Sequence, residues 1–199
     1  MSRYIAIAGN IGAGKSSFVS FLQERYGAEP VFEPNDANPF LGDFYGDMSR
    51  WGFHSQIYFL AAKLQIHKRL RDATGTIIQD RTLWEDAEVF AEHLAATGVM
   101  SAREHATYRM FYEAIRDELR RPDLMIYLRC SVRVLQKRIR QRGRDMEQAL
   151  PASYLRALDK RYEAWFARYT LSPTLVISTD RIDPVTDLVD CEEVVALLD

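Results

Sequence analysis

At 199 residues and 23.0 kDa the chain has the size of one domain, and 47% hydrophobic with 27% charged residues is the balance of a globular protein that buries a sizeable core. A net charge of −2 argues against broad attraction to nucleic acid polymers or anionic membranes, so any basic site must be local. Cys130 and Cys191 have neither CxxC nor metal-ligand spacing, which fits a reducing cytoplasm, and no apolar run approaches the roughly 20 residues that span a bilayer.

In chain order, the first strand pattern, Tyr4–Ala8, breaks into Gly9-Asn10-Ile11-Gly12-Ala13-Gly14-Lys15-Ser16-Ser17 and continues as a helical pattern to Arg25. Gly9 to Ser16 matches GxxxxGKS in full, between a strand and a helix, which is the context a phosphate-binding loop requires. The glycines let successive N–H groups turn inward onto phosphate oxygens, and the helix N-terminus adds a favourable dipole. Lys15 would bridge the outer phosphates, and Ser16 would place a hydroxyl on Mg²⁺. A second strand pattern, Val31–Phe32, ends at Glu33-Pro34-Asn35-Asp36. Ligands of open α/β sheets sit beyond the carboxyl ends of the strands, so Glu33 is either a base facing the loop or a solvated strand exit.

A helical pattern over Ser49–Asp72, with Ser49 as its cap, places Gln56, Phe59 and Lys63 on one face, while Trp51 and Phe53 read as core. A third strand pattern, Thr76–Gln79, runs into Asp80-Arg81-Thr82, with Glu85 and Asp86 one helical turn on. Asp80 could complement Ser16 at a metal and Arg81 could orient Glu33; an Asp-Arg pair is equally an ordinary ion pair. Further helical patterns cover Trp84–Ala96, Ala102–Leu119, Val132–Arg142, Ser153–Tyr169 and Val185–Leu198, with Ser101, Ser131 and Asp183 as caps; strands fall at Leu124–Leu128 and Leu175–Ile177. This alternation predicts a parallel sheet covered by helices on both faces, in a single unit over 1–199. His54, His67, His93 and His105 have no metal spacing and read as helix-surface or partner-facing residues.

The loop alone leaves several classes open. A guanine-reading NKxD segment is absent, and Asp72-Ala73-Thr74-Gly75, DxxG by letter, precedes a strand and reads as a turn, which argues against a switch GTPase. The chain is short for a motor, so phosphoryl transfer to a small acceptor remains. On residues alone, the cationic run Arg133, Lys137, Arg138, Arg140, Arg142 and Arg144 is a solvated helix face or, for Arg138 and Arg142, a phosphate clamp.

Taken together, GNIGAGKSS, FEPND, FYGDMSRWGFHSQIYFLAAK, QDRTLWEDAEVFA and RIRQRGRDME, in this order from Ile5 to about Glu147, resemble the deoxyribonucleoside kinase family, above all its short bacterial members acting on deoxyadenosine, deoxyguanosine and deoxycytidine. The resemblance implies a P-loop kinase fold with a five-stranded parallel sheet flanked by helices and an arginine-rich lid over about 138–147. It implies transfer of the ATP γ-phosphate to a deoxynucleoside 5′-hydroxyl with Mg²⁺, in a dimer. Position by position, it makes Glu33 the base with Arg81 beside it and Asp80 the acidic neighbour, and it has Tyr45 and Glu147 hold the sugar 3′-hydroxyl. Gln56 would read the base edge with Phe59 and Lys63 in the same slot, Asp86 would pair with Lys63, and Arg138 and Arg142 would close over the phosphates. Lys63 stands where many relatives carry arginine, which leaves the Lys63–Asp86 contact without a planar fork, and the bulk of Phe59 favours a purine. The broad apolar faces of the helices from Ser49 and Trp84 are the expected dimer surface, with a homodimer or a pairing with a relative as its two forms. The rival readings are a deoxycytidine-preferring kinase, a nucleoside monophosphate kinase of the thymidylate kinase type, and a nucleotide-binding regulatory subunit without turnover.

Overall fold

The first strand, β1 (Arg3–Ala8), is buried at every position from Tyr4 to Ala8, as a strand must be when both faces of its sheet are covered. The computed structural model describes residues 2–181; the helix expected over 185–198, its cap Asp183 and Cys191 lie outside the described residues. β1 is followed by β2 (Glu29–Val31), β3 (Thr76–Asp80), β4 (Leu124–Arg129) and β5 (Thr174–Ser178), which form one sheet in the order β2-β3-β1-β4-β5 with every pairing parallel. Flanking it are α1 (Lys15–Tyr26), α2 (Leu41–Gly46), α3 (Met48–Asp72), α4 (Leu83–Glu85), α5 (Glu92–Ala96), α6 (Ala102–Arg116), α7 (Val132–Arg142) and α8 (Ala152–Phe166). None of these helices is long and apolar enough to cross a membrane.

Register decides where the polar clusters meet. Ile7 of β1 pairs with Asp80 of β3, and the Arg81 amide donates to the Ile7 carbonyl at 3.0 Å, so the acidic end of β3 stands level with the start of the glycine-rich loop. β2 sits on the outer side of β3 and delivers Glu33 to the same end of the sheet.

Several local expectations are corrected. The cap of α3 is Asp47, whose carboxylate accepts from the Arg50 amide at 3.1 Å; Ser49 lies inside the helix. Ser101 caps α6 in a reciprocal box with Glu104, but the Ser131 side chain caps nothing, and the Asp180 carboxylate accepts from its amide at 2.8 Å instead. The helix expected from Trp84 to Ala96 is interrupted by a π-helical segment, Asp86–Ala91, between α4 and α5. Leu83 through Ala87 are all buried, and the apolar spacing that marks a helix here does not tell a π-turn from an α-turn. Its apolar residues are buried inside the chain, and among the described residues the exposed large apolar side chains are Met110 and Phe111 on α6 together with Tyr26, Phe32 and Val176 elsewhere. Trp51 and Phe53 are half-buried and pack against the edge of the core, Trp51 stacking on Phe40. Two of the histidines are buried: His67 between the rings of Tyr4 and Trp84, and His93 against Tyr154.

Candidate active site

The loop after β1 takes its shape from steric necessity. A Cβ on Gly9 would lie 2.8 Å from the Leu128 carbonyl oxygen, and one on Gly12 would lie 3.0 Å from that of Leu135, with both residues at positive φ. Asn10 staples the loop: its Oδ1 accepts from the Ile11 amide at 2.8 Å and its Nδ2 donates to the Leu155 carbonyl at 3.0 Å. The Asn10 carbonyl accepts from the Ala13 amide and from Lys15 Nζ, each at 3.1 Å. Lys15 is therefore folded back over its own loop, and burial lowers its ammonium to about 8, with Arg81 adding to the effect and Asp80 opposing it. Ser16 and Ser17 occupy the first turn of α1, which holds no acidic residue, so nothing in that turn offsets the positive end of the helix dipole.

At the end of β3, Ser16 Oγ donates to Asp80 Oδ2 at 2.6 Å, while Asp80 Oδ1 is buried with no partner among the described residues. Beyond it, Arg81 is the one non-glycine residue among those described with a left-handed backbone, at φ 59°. That conformation is held from both sides: the Arg81 amide is tied to Ile7, and Gln79 Nε2 donates to the Arg81 carbonyl at 3.2 Å while Gln79 Oε1 accepts from Tyr4. It turns the guanidinium over the Phe90 ring at 4.4 Å, where Nη2 donates to the Gly9 carbonyl at 3.3 Å and Nε stands 3.4 Å from Glu33 Oε1.

Glu33 thus faces the loop across Arg81, with Asn35 Nδ2 donating to its Oε2 at 3.2 Å and Lys63 Nζ at 3.5 Å. Burial by itself would raise this carboxyl, but Arg81, Lys63 and Lys15 together outweigh burial and hold it down at about 2. Lys63, on the same face of α3 as Gln56 and Phe59, is fully buried and meets Asp86 Oδ2 at 2.6 Å, so the ammonium achieves the contact without a guanidinium fork. Burial pushes Asp86 upward, against the pull of Lys63. Gln56 is buried as well, and its Oε1 has no partner among the described residues.

These groups line one cavity, walled by Ile11, Glu33, Arg81, Asp86, Gln56 and Phe59, and roofed by Leu41, Phe44 and Tyr45 of α2 and by Tyr154 of α8. Its volume is about 30 Å³, near the size of one water and far below the few hundred Å³ of a typical ligand pocket. Tyr45 lies near Glu147: burial pushes its phenol upward, and Tyr154 and Glu147 add to the shift.

The arginines of α7 divide. Arg138 reaches the loop, its Nη1 donating to the Ala13 carbonyl at 3.2 Å and to Thr179 Oγ1 at 3.1 Å. Arg142 instead donates to Glu147, which Arg144 also approaches at 3.4 Å, so the structure does not bring Arg142 to the loop. Arg133, Lys137 and Arg140 are exposed. Sequence reasoning left Glu85, Gln79, Thr179 and Tyr154 without a site role. Two of them carried a signal: Thr179 stands in the Ser178-Thr179-Asp180 cluster beyond the last strand, where ligands of such sheets sit, and Glu85 has the Thr82-x-x-Glu85 spacing of a capping box, which the structure forms.

A family model described as deoxynucleoside kinase matches residues 5–198. The chain is 37% identical over 193 residues to the deoxyadenosine/deoxycytidine kinase of Bacillus subtilis, covering 96% of this chain and 89% of that protein. It is 35% identical over 210 residues to the deoxyadenosine kinase of Lactobacillus acidophilus, covering 100% and 96%, and 34% identical over 197 residues to the deoxyguanosine kinase of the same organism, covering 94% and 86%. The solved structure of a deoxyadenosine kinase from M. mycoides with bound dATP superposes with a TM-score of 0.84 at 31% identity over 98% of each chain.

Proposed function

This chain belongs to the deoxynucleoside kinase family, and we propose that it transfers the γ-phosphate of ATP to the 5′-hydroxyl of a deoxynucleoside, a purine one by preference, with Glu33 as the base. The observation that carries the reading is the continuous link Glu33–Arg81–Gly9, with contacts of 3.4 and 3.3 Å, which sets an acceptor-side carboxylate against the donor loop. A carboxylate so close to where a polyphosphate sits is costly unless it receives a proton there. The deoxynucleoside 5′-oxygen attacks the γ-phosphorus in line, the bond from that phosphorus to the β–γ bridging oxygen breaks, Glu33 takes the hydroxyl proton, and ADP and the nucleoside 5′-monophosphate leave. Because the transition state is loose, a weakly basic Glu33 suffices, and positioning with charge neutralisation by Lys15, Arg81 and Arg138 does most of the work.

Ser16 Oγ and the unpartnered Asp80 Oδ1 are hard oxygen donors of the kind Mg²⁺ takes when phosphates and waters complete its shell. When bound, the ion neutralises charge on the β- and γ-phosphates. Gln56 Oε1 and Asp86 are acceptors at the far end of the cavity and suit an exocyclic amino group on the base, with Phe59 as an apolar wall. The names of the Lactobacillus relatives support a purine. Deoxycytidine is the second reading, favoured by the name of the Bacillus relative and by the M. mycoides enzyme with dCMP and dCDP bound, since cytosine carries the same amino group. Tyr45 and Glu147 would hold the 3′-hydroxyl, leaving no room for a 2′-hydroxyl.

In this reading the segment 138–147 is the lid of a single kinase unit over 1–199, and Arg142 leaves Glu147 to reach the phosphates as the sugar arrives. Nucleotide salvage in the cytoplasm is the setting, consistent with the free buried thiol of Cys130. A homodimer would use α3 with α6, where Met110 and Phe111 are exposed, in place of the rod from Trp84. The test is a panel of the four deoxynucleosides, their ribose counterparts and dTMP with ATP and Mg²⁺: deoxyadenosine or deoxyguanosine should be the best acceptor, and phosphorylation of dTMP alone would overturn the reading.

A further inference from the structure

Glu85 is fully buried and does not line the cavity, yet its two carboxylate oxygens are shared between the two halves of the site. Oε1 accepts from the Gly9 amide at 3.3 Å and from the Tyr162 hydroxyl at 3.1 Å. Oε2 accepts from the Thr82 amide at 2.8 Å and from the Thr82 hydroxyl at 3.1 Å. One oxygen therefore anchors the first residue of the donor loop, and the other anchors the residue that follows the left-handed Arg81, whose guanidinium holds Glu33. Tyr162, packed edge-on against Phe90 and stacked on Tyr127, fixes the carboxylate from α8.

We infer that Glu85 is a positioning residue for phosphoryl transfer, a bridge that sets the donor loop and the Arg81–Glu33 acceptor arm at one fixed separation. A capping role alone requires only the Thr82 contacts; the bond to Gly9, 76 positions away in the chain, adds the second half. The bridge depends on both oxygens being acceptors. An amide in place of the carboxylate fails in either orientation, because its NH₂ faces a backbone N–H both ways round, that of Gly9 on one side and that of Thr82 on the other, and neither can accept. The loss then falls on relative alignment, where displacements of about 1 Å cost up to about a hundredfold in rate, rather than on binding of either substrate.

The inference rests on the kinase reading, and the wild-type protein in the same assay separates the two: no turnover of any deoxynucleoside by the wild type fails the reading, whereas an indifferent variant fails only the inference. Glu85→Gln is assayed for kcat per ATP-binding site, counted by equilibrium binding, and for KM toward ATP and the deoxynucleoside. The expected result is a fall in kcat of roughly tenfold to a hundredfold with both KM values within about threefold of wild type. A purely structural role would reduce the number of binding sites and leave kcat per site alone, and that outcome overturns the inference, as does a loss confined to KM for ATP. If Glu85→Gln does not fold, Thr82→Ser and Thr82→Val decide. The serine, which keeps the hydroxyl, should match wild type, and the valine, which keeps the backbone bond to Oε2 but loses the hydroxyl that also holds that oxygen, should lower kcat by about threefold to tenfold with both KM values unchanged; equal kcat in the two overturns the inference.

Discussion

Replacing Lys63 by methionine removes an ammonium with no side-chain exposure from between Asp86, 2.6 Å away with 4% exposure, and Glu33, 3.5 Å away. Glu33 keeps Arg81, but Asp86 is left as a buried carboxylate without its cation. Breaking a buried pair by removing one partner costs about 3–5 kcal/mol, whereas removing both charges is close to neutral. At about 2–4 °C per kcal/mol for a chain of this size, Lys63→Met should lower Tm by about 10 °C at pH 8. The double variant Lys63→Met with Asp86→Asn should recover more than half of that loss. The sign of the pH effect follows from Asp86. Burial already raises its carboxyl in the folded protein, and without Lys63 it rises further, so the variant binds a proton in the folded state before the unfolded chain does. Its stability is then present at low pH and lost as pH rises through the folded pKa, so the deficit relative to wild type should be smaller at pH 5 than at pH 8. Thermal melts of the three proteins at the two pH values are the assay. A single variant within about 1 kcal/mol of wild type, or a double variant no more stable than the single, would refute the argument.

Two further titrations follow. His67 is buried with both ring nitrogens unpartnered among the described residues, and burial, reinforced by Lys63, lowers it to about 4; its stabilising neutral form is present above the unfolded value near 6.5 and lost as pH falls toward 4. Wild type should therefore lose on the order of 2 kcal/mol between pH 7.5 and pH 5, and His67→Leu should flatten that slope in urea titrations; equal slopes would contradict the assignment. Lys15, lowered to about 8, should lose charge above that pH in the nucleotide-free protein, so ATP affinity measured by calorimetry should weaken from pH 7.5 to 9.5, and a flat profile would count against Lys15 as a phosphate ligand.

What the sequence made legible was chemistry carried by local spacing. The loop needs glycines at set positions and a strand and helix around it, and all of that lies within Tyr4–Tyr26. The ends of β2 and β3 were readable because a parallel sheet sends its polar exits to one side, which is why Glu33, Asp80 and Arg81 meet. The left-handed backbone at Arg81 was not readable, since it is held by a bond to Ile7 of β1 and by Gln79, which Tyr4 of β1 fixes in turn. Nor was the π-helical segment: the apolar spacing over Trp84–Ala96 marks a helix without telling a π-turn from an α-turn. His67 and His93 read as helix-surface or partner-facing residues because an imidazole packed against aromatic rings leaves no mark on spacing. The mutual grip of Arg142 and Glu147 depends on the turn at Gly143, whose φ of 69° brings a residue five positions on back against the helix end.

The central claim, that Glu33 receives the proton of the acceptor hydroxyl, is tested most directly by Glu33→Gln. The substitution keeps the shape of the side chain and its place beside Arg81 and Asn35 but removes the base. Turnover of deoxyadenosine with ATP and Mg²⁺ should fall by at least about a hundredfold, while binding of ATP and of the nucleoside, measured separately by calorimetry, stays within about threefold of wild type. Turnover equal to that of the wild-type enzyme would contradict the account.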